Sequence, residues 1–209
     1  MYREKLSHES IKEKLKTKTL GSEIIIIESV DSTNSFLKRQ SGALCDGCVA
    51  LAEGQTSGRG RFGKTFFSPS GDGVYMSVLI KPRRINNFNL LTMFCAVAVC
   101  RALKNACSID ASVKWVNDII INGKKICGIL AESAFSGEAS SVCLGIGINT
   151  GEIPSEVFDI ATSVSQITGV LPDRNEIVAD VLNNLEKIIF PDGADIIFDA
   201  LSEYIERLI

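Results

Sequence analysis

Histidine is almost missing from this chain: of 209 residues only His8 carries an imidazole. That scarcity excludes the zinc sites that combine cysteines with several histidines. A second Cys-x-x-Cys pair is lacking as well. Cys45-Asp46-Gly47-Cys48 therefore reads as structural rather than metal-binding. The seven cysteines are an odd number in a chain whose N-terminus, MYREKLSHESIKEKLKTKTL, has no apolar run of leader length. Reduced thiols and a cytoplasmic setting are expected. The most apolar stretch, Leu90 to Leu103, is interrupted by Arg101 and falls short of the about 20 residues that a bilayer span requires. It reads as a buried helix. No excess of positive charge is present either. With 22 Lys+Arg against 25 Asp+Glu the net charge is −3, which argues against general binding of DNA or RNA. Repeats, low-complexity tracts and linkers are absent, so one domain is expected over 1–209, with 1–20 as a short helical extension.

What is present suits a soluble globular fold: 45% hydrophobic and 22% charged residues. A chain of this length buries roughly 70% of its unfolded surface. Ser7 is placed to cap a short helix over 7–18. Ile24 to Ile27 form a β-branched run of strand length, and Asp31 or Ser32 then caps a helix reaching about Gln40. Strands are predicted at 48–53, 74–80, 112–115, 118–121, 125–132 and 140–148. Asn122-Gly123 is a strong hairpin signal between two of them. Helices are predicted over 89–105, from a cap at Asp173 to Pro191-Asp192-Gly193, and over 195–208. Strands in the middle and helices around them indicate an α+β fold of a mixed sheet with helices.

The chemistry concentrates in three segments. Gly58-Arg59-Gly60-Arg61-Phe62-Gly63-Lys64-Thr65 satisfies both the P-loop and the dinucleotide pattern. Both of those mechanisms need a helix immediately after the glycines to meet a phosphate. Here Phe66-Phe67-Ser68-Pro69-Ser70-Gly71-Asp72-Gly73 follows, which does not propagate a helix. A long cationic glycine loop remains, with Arg59, Arg61 and Lys64 suited to a polyanion such as ATP. The second segment is Lys114-Trp115-Val116-Asn117-Asp118 with Lys124-Lys125 and Gly128-Ile129-Leu130, whose hairpin brings the two arms together. The third, Gly145-Ile146-Gly147-Ile148-Asn149, ends a strand in glycines and an amide.

Taken with Asp31-Ser32-Thr33-Asn34, Glu53-Gly54-Gln55-Thr56-Ser57 and Phe67-Ser68-Pro69, these segments resemble the catalytic domain of the biotin protein ligases in order and spacing, from about Ile24 to the end. The resemblance implies a mixed, mainly antiparallel sheet flanked by helices. It also implies a two-step reaction that uses ATP, biotin and Mg2+. Biotin's carboxylate attacks the α-phosphate of ATP to give biotinyl-5′-AMP, and the acyl group then passes to a lysine of a biotin carboxyl carrier domain. By this resemblance Ser32, Thr33, Asn34, Gln55, Gly60 and Gly128 belong to the biotin site. Arg59, Arg61 and Lys125 serve both biotin and ATP. Lys64, Lys114, Asn117 and Asn149 lie toward the nucleotide. The catalytic set is Lys125, Arg59, Arg61 and Asp118, with Asp118 as proton acceptor or magnesium-side carboxylate. The chemistry of the residues agrees, since a carboxylate with a pKa of about 4 needs no general base to attack phosphorus. What it needs is cations to bring two anions together.

The sequence departs from the family pattern at Val116, where proline is usual, at Lys64, where arginine is common, and at Phe66, where tryptophan is frequent. Neither the N-terminal DNA-binding domain of bifunctional members, before Ile24, nor the small C-terminal β-barrel of many members, after Ile209, is expected. No DNA binding and no membrane partner are expected. Homodimerisation through a sheet edge is left open. The rival readings are a lipoate ligase or octanoyl transferase of the same fold, and a non-catalytic biotin-binding module.

Overall fold

In the computed structural model the described residues are 3–81, 90–136, 139–191 and 195–209. Seven strands form one sheet: β1 Ile24–Val30, β2 Val49–Gln55, β3 Gly73–Ile80, β4 Ser112–Lys114, β5 Asp118–Ile121, β6 Lys124–Ser136 and β7 Ala139–Asn149. Their order is β1-β2-β3-β7-β6-β5-β4. Only β1 and β2 run parallel; the other neighbours are antiparallel. A parallel pair needs a crossover, and helix α2, Thr33–Gln40, supplies it. The expected mixed, mainly antiparallel sheet with flanking helices is the fold observed.

Alternation divides the sheet into two faces. Val49, Leu51, Met76, Val78, Leu144, Ile146 and Ile148 point into the larger core, which includes α3 (Leu91–Cys107) and α5 (Arg174–Ile189). Ala50, Leu79 and Cys143 point the other way, toward Leu37 of α2. The central strand β3 is buried along its whole length, as expected for a strand covered on both faces. Every residue of α3 from Phe94 to Cys100 is buried, so that helix is enclosed rather than amphipathic.

Several boundaries differ from the sequence reading. The N-terminal helix α1 covers only His8–Lys14, with Ser7 Oγ accepting from Ser10 N at 3.3 Å. The rest of residues 3–20 is a strap rather than a helical extension. Asn175, Asn183 and Glu186, on one side of α5, hold its backbone. Asn175 Oδ1 accepts from Ser7 N (2.8 Å), Asn183 Oδ1 from Lys16 N (2.7 Å), and Glu186 Oε2 from Leu20 N (2.7 Å). Beneath the strap, Arg174 Nη2 and Glu53 Oε2 form a buried ion pair of 2.8 Å. The Glu53 carboxylate also accepts from Leu6 N at 2.7 Å.

Strand β2 extends to Gln55, because Gln55 N donates to Ser68 O and the glycine loop folds back on the strand. That loop contains a single 3-10 turn, Arg61–Gly63, and no α-helix. Helix α4, Val164–Thr168, was not foreseen although its signals are present: Ser163 accepts from Gln166 N, and Gly169 follows at φ 79°. Helix α6, Asp195–Glu206, stops before Leu208, which forms an isolated bridge with Val113 of β4. The predicted helix start at 89 and the Asp192-Gly193 stop lie outside the described residues.

Candidate active site

One local irregularity aims the central lysine. The β5–β6 hairpin turns at Asn122 (φ 50°) and Gly123 (φ 78°), both in the left-handed region that a tight two-residue hairpin needs. Ile120 then pairs with Lys125 but Ile119 pairs with Cys127, so Ile126 is an extra residue in the ladder. Beyond this bulge Gly128 and Leu130 face the cleft while Cys127 and Ile129 face the core. A regular strand would turn Ile126 to the cleft and Lys125 to the core. The bulge reverses this: Ile126 is fully buried in the core and Lys125 lines the cleft. Backbone bonds pin it in place, Lys125 N to Ile160 O and Thr162 N to Lys125 O, each 2.9 Å.

The cleft is small and opens to solvent. Its floor is backbone. Gly128 and Gly147 are opposite partners on β6 and β7, with Gly145 opposite Leu130. A Cβ on Gly145 would come within 2.7 Å of Asn34 Oδ1, and one on Gly147 within 2.6 Å of the Phe66 ring. Phe66 thus lies on the glycine floor, with Lys125 Nζ 5.8 Å from its ring centroid.

One end of the cleft is a network of small polar groups. Gln55 Oε1 accepts from Thr33 N at 2.9 Å, and its Nε2 donates to Ser68 Oγ at 2.9 Å. Ser77 Oγ lies 2.7 Å from both Thr33 Oγ1 and Asn34 Oδ1. Asn34 Nδ2 in turn donates to Glu132 Oε2 at 2.9 Å. Ser32, Thr33, Asn34 and Ser77 are all buried, and such a network fixes polar groups in one orientation.

The other side carries cations. Arg61 Nη1 donates to Asn117 Oδ1 (2.8 Å), and Asn117 Nδ2 donates to Ile129 O (2.9 Å). Arg59 Nη2 lies 3.4 Å from Glu132 Oε1, and Lys125 Nζ 2.7 Å from Asp118 Oδ1. Three cations beside a polar pocket can draw two anions together and stabilise charge at phosphorus.

Of the residues singled out from the sequence, Ser32, Thr33, Asn34, Gln55, Arg59, Gly60, Arg61, Asn117, Lys125 and Gly128 line this one cleft. Asp118 reaches it through Lys125. Lys64 and Lys114 are exposed and outside the lining, and Asn149 is occupied in donating to Thr162 O at 3.1 Å. The lining residues that the sequence reading did not assign to the site are Phe66, Met76, Ser77, Ile129, Leu130, Gly145, Ile146 and Gly147. Ser77 had a signal, as the one polar side chain in the apolar strand GVYMSVLI. At the Trp115–Val116 position the peptide is cis. The Cys45–Cys48 pair lies at the start of β2, remote from the cleft lining, and burial pushes the Cys48 thiol up to about 12.

Among the described residues no group of three or more His, Cys, Asp or Glu is gathered to hold a metal ion. Asp118 Oδ1 has the Lys125 ammonium, 2.7 Å away, as its partner. One such carboxylate fits a magnesium ion that arrives on a triphosphate and retains most of its water, not a protein-caged ion.

The sheet order, the glycine floor and the cationic rim together define the class of biotin and lipoate protein ligases. Residues 26–149 match the biotin/lipoate A/B protein ligase family, and the chain belongs to that family. The bifunctional ligase/repressor BirA of Bacillus subtilis is 38% identical over 192 residues, spanning 88% of this chain and 58% of that protein. The biotin–[acetyl-CoA-carboxylase] ligase of Mycobacterium tuberculosis is 33% identical over 168 residues, spanning 77% and 62%. The chain thus spans less than two thirds of these relatives. A solved structure of the biotin protein ligase from Aquifex aeolicus in complex with biotin and ATP superposes with a TM-score of 0.78. It is 32% identical and covers 90% of this chain and 79% of that one.

Proposed function

We propose that this chain ligates biotin to a lysine of a biotin carboxyl carrier domain at the expense of ATP, through biotinyl-5′-AMP. The observation that carries the reading is that Arg59, Arg61 and Lys125 meet the Ser32–Thr33–Gln55 network in one cleft. In this reading the polar network takes the ureido ring of biotin. The biotin carboxylate then lies toward Lys125.

Step one joins a carboxylate oxygen to the α-phosphorus and breaks the bond to the β-phosphate, releasing pyrophosphate. No proton moves. Arg59, Arg61 and Lys125 offset the charge of the two approaching anions, and Lys64, Lys114, Asn117 and Asn149 serve the nucleotide from further out. Asp118 would hold the magnesium carried by ATP, which neutralises phosphate charge. In step two the acceptor amine attacks the acyl carbonyl and AMP leaves. An acceptor lysine with a pKa of about 10.4 must first lose a proton, and accepting it is the alternative role of Asp118 to holding magnesium. Residues 1–209 act as one catalytic unit in the cytoplasm, with the carrier domain as partner. Among the described residues no helix is long and apolar enough to cross a membrane.

Incubation with labelled biotin, ATP and a carrier domain tests the reading, with label on the carrier as the expected result. Preference for lipoate or octanoate would replace it with the related acyl ligases. Retained biotin without adenylate would leave a binding module.

A further inference from the structure

Two carboxylates form ion pairs with cleft-lining cations, and the second, Glu132, has no part in the chemistry above. Its side chain is 15% exposed and sits on β6 opposite Cys143 of β7, in an uninterrupted antiparallel ladder. Asn34 and Lys38, one turn apart on α2, hold it from the side. Oε2 accepts from Asn34 Nδ2 at 2.9 Å, and Oε1 lies 3.4 Å from Lys38 Nζ and also 3.4 Å from Arg59 Nη2. Three of these four residues stand on regular elements. Arg59 alone stands on the glycine loop, and its side chain is 51% exposed.

We propose that Glu132 is a positioning residue that holds Arg59 at the cleft before ligand binds, and that Lys38 is the counter-ion that lets Arg59 leave. The proposal rests on the reading of the cleft as an anion site. Withdrawing one partner from a shielded ion pair is costly because a bare charge stays behind. Here Lys38 and Asn34 remain on Glu132 when Arg59 departs, so the exchange is cheap. The Glu132–Arg59 contact is long and half-exposed, hence weak. A ligand carboxylate or phosphate that accepts both arms of the guanidinium makes the stronger bond and displaces it. Glu132 thereby shortens the search that the loop makes for its ligand, while Lys38 sets how easily the loop is released.

The test follows cleavage of the ligand-free full chain after Arg59 and Arg61 by an arginine-specific protease, at low and high salt, with mass spectrometry to locate the cuts. In the wild type, cleavage accelerates with salt as the ion pair is screened. In Glu132→Gln it is several-fold faster at low salt and loses its salt dependence, and Glu132→Asp restores part of the protection. Lys38→Met acts in the opposite direction: cleavage slows, and more biotin is needed to protect the loop further. Wild-type rates and salt dependence in a folded Glu132→Gln variant overturn the proposal. If that variant does not fold, a Lys38→Met variant cleaved as fast as the wild type overturns it. These readouts need no turnover, so failure of biotin ligation with the loop behaviour intact removes the functional reading and leaves Glu132's role standing.

Discussion

Lys125 Nζ stands 2.7 Å from Asp118 Oδ1, across two neighbouring strands whose register slips by one residue between them. The slip turns the lysine to the cleft, and the carboxylate fixes where its ammonium waits. Position and charge at this point therefore come from a backbone irregularity and one ion pair.

In the proposed reaction that ammonium steadies charge at phosphorus. Lys125→Ala is expected to lower biotin-dependent pyrophosphate release by about 10²–10³-fold, the usual cost of deleting a preorganised electrostatic contact. Normal release by a folded variant would remove Lys125 from its assigned role.

Gly147→Ala brings a methyl group into the space of the Phe66 ring, since the new Cβ would lie 2.6 Å from it. Calorimetry should show biotin affinity falling by about tenfold, or 1.4 kcal/mol. Adding Phe66→Ala to the same chain should recover part of the loss, because the two positions touch and their effects are coupled.

Glu53→Gln breaks the buried pair with Arg174, whose side chains are 6% and 5% exposed, and strands a guanidinium under the N-terminal strap. Urea unfolding should show a loss of about 3–5 kcal/mol, with Leu6 amide protection lost first. An unchanged midpoint would mean that the strap holds without its central charge.

The ion pair that opens α2 predicts a pH effect. Arg39 donates to both oxygens of Asp31 and holds its carboxyl down to about 2, against 3.8 in the unfolded chain. A depressed acid adds stability that is present above the unfolded value and lost as pH falls through the folded one. Asp31→Asn should thus destabilise slightly at pH 7, and the difference from wild type should vanish between about pH 4 and pH 2. Because the pair is exposed, the effect is small and weakens in salt. A difference that persists at pH 2 would assign it to something other than this charge.

Most of the sheet was legible because its strands carry β-branched runs and turn residues that act locally. Ile24 to Ile27 and Asn122-Gly123 need no tertiary context to be read. The register was not legible. Nothing in Lys124 to Ile129 announces that Ile126 is extra, because a bulge depends on the partner strand, and strict alternation would have sent Lys125 into the core. The N-terminal strap was misread for a similar reason. Its backbone amides are satisfied by Asn175, Asn183 and Glu186, more than 160 residues away. At the site, ten of the residues singled out from the sequence line one cleft, while Asp118, Lys64, Lys114 and Asn149 lie outside its lining. Ser77 and Glu132 escaped notice because their importance lies in what they touch, not in any local pattern.

The glycine floor limits how this pocket can be altered. Gly128, Gly145 and Gly147 have nothing left to trim, so no substitution there deepens the cavity; each one makes it shallower. A variant meant to accept a bulkier acid has to be built from above, by shortening Phe66 or recasting the arginine loop.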